Sequence, residues 1–116
     1  PGSRLNALDL IHSTDHELVT FARTGGEKAY RELLDRYQRP VFSLVYRMVR
    51  DRELAEDLAQ ETFVKVFNHL ESYNPKYKFS SWIFKIASNL AIDVLRKKSL
   101  ETVSLDGSRN ARTGEE

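Results

Sequence analysis

Between Leu70 and Lys98 the chain reads LESYNPKYKFSSWIFKIASNLAIDVLRKK. A short loop holding Tyr73, Asn74, Lys76, Tyr77, Lys78 and Phe79 runs into a predicted helix that ends in Arg96-Lys97-Lys98. Aromatic faces stack on unpaired bases and cationic side chains track phosphates, so this mixture suits single-stranded nucleic acid. On the helix, Lys85, Asn89, Ile92 and Arg96 fall at intervals of four, three and four residues and share one face. An asparagine offers a donor and an acceptor to a base edge, while lysine and arginine serve phosphates or guanine. Taken alone, that stripe reads first as an ordinary solvated face, with cations where the helix dipole favours them. Beside the aromatic loop, nucleic acid is the better reading.

The aromatic residues divide by position. Trp82 lies on the core stripe of its helix and is expected to pack inside. Phe79 suits a staple of the helix start against its neighbours. Tyr73 and Tyr77 flank the Asn74-Pro75 turn and have less reason for burial, so both are expected to wall a pocket that accepts a base.

A second constellation lies upstream. Asp51 to Glu61 holds five acids and one arginine, a balance of −4, whereas Lys76 to Lys98 holds six basic residues and one acid, a balance of +5. The net charge of +1 therefore conceals a polarised chain. Glu53, Asp57, Gln60, Glu61, Val64, Lys65 and Asn68 point away from the core stripe of the predicted helix that carries them. The helix dipole accounts for Glu53 and Glu56 in the first turns but fades before Glu61. An acidic and amide stripe that includes Val64 suits a basic partner helix.

Catalysis finds little support. His12, His16 and His69 are scattered without metal-ligand partners at helical spacing. Asp57 and Glu61 share a face, as solvated carboxylates commonly do. Gly25-Gly26 reads as a helix end and not as a phosphate cradle. No enzyme, metal or cofactor is expected.

The elements that must position these residues are helical throughout. Thr14-Asp15-His16-Glu17 has capping-box spacing and opens a first helix, which Gly25-Gly26 ends. A second helix spans about Glu27 to Arg50, with Tyr30, Leu33, Leu34, Tyr37, Val41, Leu44, Val45 and Met48 on one face. Pro40 inside it predicts a kink or local break. A third runs from about Arg52 to Ser72, turning Ala55, Leu58, Ala59, Thr62, Phe63, Val66 and Leu70 inward. Ser80 is the expected cap of a fourth helix, which buries Trp82, Ile83, Ile86, Ala87, Leu90, Val94 and Leu95. The fold class is all-α, a small bundle of about four helices.

Its 116 residues make one domain with flanks, and an apolar fraction of 41% fills a modest core. Residues 1–14 are expected to form an N-terminal flank in which Pro1-Gly2-Ser3 reads as a cloning remnant. Residues 15–98 form the domain and 99–116 a linker or polar, disordered tail. The absence of cysteine excludes a disulfide framework and fits a reducing cytoplasm. No run approaches the roughly 20 apolar residues of a membrane span, and no signal-peptide pattern is present.

The run RELAEDLAQETFVKVFNHLESY, then the basic aromatic loop, then SSWIFKIASNLAIDVLRKK, closely resembles region two of bacterial sigma factors, in the extracytoplasmic-function (ECF) group. The resemblance covers about Asp15 to Lys98. It implies a cytoplasmic transcription-initiation domain of sigma region two type with two partners. Asp57, Gln60, Glu61 and, on the same stripe, Val64 would meet the clamp helices of the RNA polymerase β′ subunit. Tyr73, Asn74, Lys76, Tyr77, Lys78 and Phe79 would hold a flipped base of the non-template strand of the promoter −10 element. Lys85, Ser88, Asn89 and Arg96 would line the strand path. Complete ECF members carry a second helical domain for the −35 element, and the chain is expected to stop in the linker before it. Members are commonly held by an anti-sigma factor, which these residues do not identify.

Two other function classes compete. A protein-only helical interaction module would keep the Asp57/Glu61 face but has no need of Tyr73, Asn89 and the loop lysines. A helix-turn-helix repressor needs a short turn before its recognition helix, and the aromatic loop suits that poorly.

Overall fold

The computed structural model describes residues 7–105, with side chains from 9 to 101. Five α-helices and one short 3₁₀ turn account for nearly all of it: α1 (Ala7–Ile11), α2 (Asp15–Arg23), α3 (Glu27–Val49), α4 (Arg52–Asn68), the turn Leu70–Ser72, and α5 (Phe79–Leu105). No strand occurs among the described residues. The central helix, α3, packs against α1, α2, α4 and α5, and α4 also packs on α5.

Local chemistry sets the helix ends. Thr14 and Glu17 close the expected capping box: Glu17 N–H donates to Thr14 Oγ1 at 3.1 Å, and Thr14 N–H donates to Glu17 Oε1 at 2.8 Å. After α2, Gly25 takes a left-handed φ of 89° and Gly26 N–H donates back to Phe21 O at 2.9 Å. A Cβ on Gly26 would stand 2.6 Å from that same carbonyl oxygen, so the tight α2–α3 turn needs glycine there. The α3–α4 connection is as short. Arg50 adopts φ 57°, and the Asp51 carboxylate accepts from Leu54 N–H at 3.1 Å to cap α4.

The apolar stripes meet in one core. Leu18 and Val19 of α2, Leu33, Val41 and Val45 of α3, Ala55, Leu58 and Val66 of α4, and Ile83, Ala87 and Ala91 of α5 are all buried. Thr62 is buried too, its hydroxyl donating to Leu58 O at 2.8 Å. Trp82 is half-buried against this core. A polar tie secures the other end: Arg36 donates to Asp15 Oδ1 at 3.0 Å and to the Leu10 and Ile11 carbonyls at 3.1 Å each, while Tyr37 donates to Asp15 Oδ2.

Several boundaries differ from the sequence expectation. Residues 7–11, placed in the flank, are helical, and Leu10 enters the core. Helix α3 runs without a break through Pro40, which lies on its exposed side. Helix α4 ends at Asn68 and not Ser72, because a 3₁₀ turn rotates Leu70 into the core. Ser80 is not the cap of α5, which already begins at Phe79. Leu95 is partly exposed, and α5 continues beyond Lys98 to Leu105. The tail expected over 106–116 lies outside the described residues.

Candidate nucleic-acid interface and acidic docking face

The loop between the 3₁₀ turn and α5 is built around a buried tyrosine. Tyr73 is 2% exposed, against 66% for Tyr77. Its ring lies 5.0 Å from Trp82 and 5.5 Å from Phe79, centroid to centroid, and its hydroxyl donates to Tyr77 O. The expectation that Tyr73 and Tyr77 together wall an open pocket is therefore corrected: only Tyr77 presents a ring to solvent. Phe79, carried into the base-holding set by resemblance, is also 2% exposed and meets Tyr37 edge-on at 5.5 Å. Its place is the staple that its position at the helix start suggested. Burial follows from the turn itself, which brings both rings over the junction of α2, α3 and α5, where apolar surface gains most by leaving water.

Two residues of α2, missed in the sequence, hold this loop from the other side. Arg23 Nε donates to Leu70 O at 3.1 Å and its Nη2 to Tyr73 O, with the guanidinium 5.9 Å from the Tyr73 ring centroid. His16 Nε2 lies 2.8 Å from Tyr73 Oη and 3.4 Å from Tyr77 O. Burial raises the Tyr73 phenol's pKa, with the Asp15 charge adding to the rise and Arg23 opposing it. No local sequence signal marks these pairs, because their partners come from a distant part of the chain.

What remains outside is polar and cationic. Asn74, Lys76, Tyr77 and Lys78 are exposed. Asn74 Oδ1 accepts from Lys76 N–H at 2.9 Å, which shapes the turn. Along α5, Lys85, Asn89, Ile92 and Arg96 are all exposed, and Ser88 is half-buried beside them. Arg96 reaches Asp93 only at 4.0 Å. Between α3 and α5 a groove of about 620 Å³ is lined by Ser43, Arg47, Ser81, Phe84, Lys85 and Ser88 among others. Among the described residues Lys76, Lys78, Lys85 and Arg47 form no ion pair. Arg47 was overlooked, although the absence of any acid between Asp35 and Asp51 could have drawn attention to it.

The acidic stripe lies on α4. Asp57, Gln60, Glu61 and Val64 are exposed, and neither Asp57 nor Glu61 has an ion-pair partner among the described residues. Glu56 is taken up by Arg52 at 3.7 Å. Phe67 extends the stripe by one turn and is 60% exposed, beside Val64 at 57%. Phe67 meets Tyr30 edge-on, ring centroids 5.1 Å apart, and its other side faces solvent in line with Val64. No helix among the described residues is long and apolar enough to cross a membrane.

Comparison with known proteins identifies the family. Residues 33–101 match the Sigma-70 region 2 family. The ECF RNA polymerase sigma factor SigW of Bacillus subtilis (strain 168) is 38% identical over 76 residues, covering 66% of this chain and 41% of that protein. The ECF RNA polymerase sigma-E factor of Haemophilus influenzae is 31% identical over 105 residues, covering 87% of this chain and 55% of its own length. The chain thus spans about half the length of the curated relatives it matches. The NMR structure of an engineered region 2 of sigmaE in complex with GTAAAA is similar with a TM-score of 0.68 and 38% identity, over 75% of this chain and 90% of that one. The family match takes in most of α3, all of α4, the loop and α5 as far as Glu101, the elements that carry both faces; the chain belongs to the Sigma-70 region 2 family, among the ECF sigma factors.

Proposed function

We propose that this domain joins core RNA polymerase to the unwound −10 element of a promoter. The observation that carries the reading is the exposed loop Asn74–Lys78, fixed over a buried aromatic cluster and continuous with the Lys85, Asn89 and Arg96 stripe of α5. That a solved relative at 38% identity was determined with GTAAAA supports a single-stranded ligand.

In this mechanism the Tyr77 ring stacks on one base drawn out of the duplex. The Asn74 and Asn89 amides read base edges. Lys76, Lys78, Lys85, Arg96 and Arg47 neutralise phosphates along the strand. Tyr73 and Phe79 act from beneath, as the floor that fixes where Tyr77 stands. Drawing a base out of its stack costs about a few kcal/mol, and the Tyr77 ring offsets that cost only when the strands are apart, so binding shifts the duplex toward the open state. Asp57, Gln60, Glu61, Val64 and Phe67 dock on the clamp helices of the β′ subunit, with charge steering the approach and the apolar pair filling the contact.

The test is a bridging assay. Labelled −10 non-template strand is retained on immobilised core polymerase only when the domain is added. The Asp57→Arg, Glu61→Lys double variant is expected to lose this retention while still binding the free strand. Undiminished retention in the double variant removes the α4 face from the mechanism.

A further inference from the structure

We propose that Arg23 and His16 of α2 are positioning residues for base reading: they lock the loop that presents Tyr77 and touch no nucleotide themselves. The inference rests on the single-strand reading of that loop and adds the device that holds it. Outside the candidate interface itself, α2 makes the only side-chain hydrogen bonds to the backbone of residues 70–77 from another element among the described residues.

The geometry gives each bond a purpose. Arg23 directs two guanidinium N–H groups to carbonyls three residues apart, Leu70 O at 3.1 Å and Tyr73 O, and so fixes both the start of the 3₁₀ turn and the entry to the loop. The fork of a guanidinium can do this with one rigid plane, which a lysine ammonium cannot. Tyr73 gives its one phenolic proton to Tyr77 O, so its oxygen needs a donor from outside. In its Nε2–H tautomer His16, at 2.8 Å, supplies it. The chain of contacts runs His16, Tyr73, Tyr77 carbonyl, and it ends on the backbone of the loop's exposed aromatic. A loop of exposed polar residues otherwise samples many conformations, and ordering it at the moment of binding would subtract from affinity. Held in advance, the loop keeps that energy for the base.

The experiment compares the parent domain with Arg23→Ala, Arg23→Lys and His16→Ala. His16 is exposed, so its truncation opens no core cavity, and Arg23→Lys keeps the charge and the aliphatic stem while removing the guanidinium fork. Amide hydrogen exchange is read across residues 72–78 and at Val45 and Leu58 in the core. Each variant is expected to speed loop exchange at least about tenfold, the equivalent of one 1.4 kcal/mol bond, with core amides unchanged. Each is then titrated with single-stranded oligonucleotides varied base by base, at several salt concentrations. Preference at one base is expected to flatten while the salt slope stays at the parent value, because neither residue meets a phosphate. Loop exchange equal to the parent overturns the clamp whatever the binding data say. Accelerated exchange with base preference intact overturns its role in reading. A parent that has no single-strand preference overturns the nucleic-acid function, and the exchange data then show a clamp with no reading to serve.

Discussion

Tyr73 sits beside a proline turn, where a ring is ordinarily wet, and yet it is part of the core. Its partners, Arg23, His16, Phe79 and Trp82, come from two helices that sequence spacing could not bring to it. The Thr14 capping box was legible because both partners lie within one turn; Tyr73 was not, because its burial is a tertiary event. Tyr73→Phe is expected to cost about 1 kcal/mol, the worth of one hydroxyl bond, in urea unfolding. Two other tyrosines make stability pH-dependent. Burial pushes the Tyr30 phenol up to about 12, and its hydroxyl donates to Phe63 O at 2.7 Å. Burial raises Tyr37 further, with the hydrogen bond and charge of Asp15 adding to the shift. Folded phenols that hold their protons above the unfolded value of about 10 leave stability intact below that pH. Stability is lost as pH climbs beyond it, because only the unfolded chain ionises freely. The thermal midpoint is expected to fall between about pH 10 and 12, and less steeply in Tyr30→Phe.

The helices themselves were legible wherever one face is buried, since the apolar period of α3, α4 and α5 records the core directly. Where that record stops, so did the reading. Helix α5 passes Lys98 because backbone hydrogen bonding continues after its side chains have no core to face; residues 95–101 are all exposed. Helix α1, with five residues, is too short for periodicity to speak. The α2–α3 turn offers a sharp test of element placement. Gly26→Ala puts a methyl group 2.6 Å from Phe21 O, against backbone that cannot yield cheaply. It is expected to destabilise by about 1–3 kcal/mol in the denaturation midpoint. Gly25→Ala meets no atom within 4 Å and pays only for its left-handed φ, about 1–2 kcal/mol. On α5, replacing Lys85 and Arg96 together is expected to lower single-strand affinity for every sequence alike. The log–log salt dependence should flatten by about 0.7 for each phosphate contact removed. An unchanged slope would mean that neither cation meets the strand.

At the scale of the molecule, a net charge of +1 is divided between an acid-rich helix and a cationic loop and helix. Both faces could be read in the sequence because exposure, unlike burial, leaves side-chain chemistry uninterrupted along a stripe. The sequence could not say which tyrosine of the loop stays outside; Tyr77 does, and Tyr73 is buried. Charge reversal at Asp57 and Glu61 is expected to leave the thermal midpoint nearly unchanged, since both side chains are exposed and unpaired. The central claim is that this loop seizes one unstacked base, and the most direct measurement is a fluorescence titration of parent and Tyr77→Ala. The ligands are a −10-like single strand, the same strand varied at each position, and the matched duplex. The parent is expected to bind the single strand far more tightly than the duplex. Tyr77→Ala should lose about 1–3 kcal/mol, concentrated at one position of the strand. Equal affinity for duplex and single strand, or a loss spread evenly over every position, would contradict base capture.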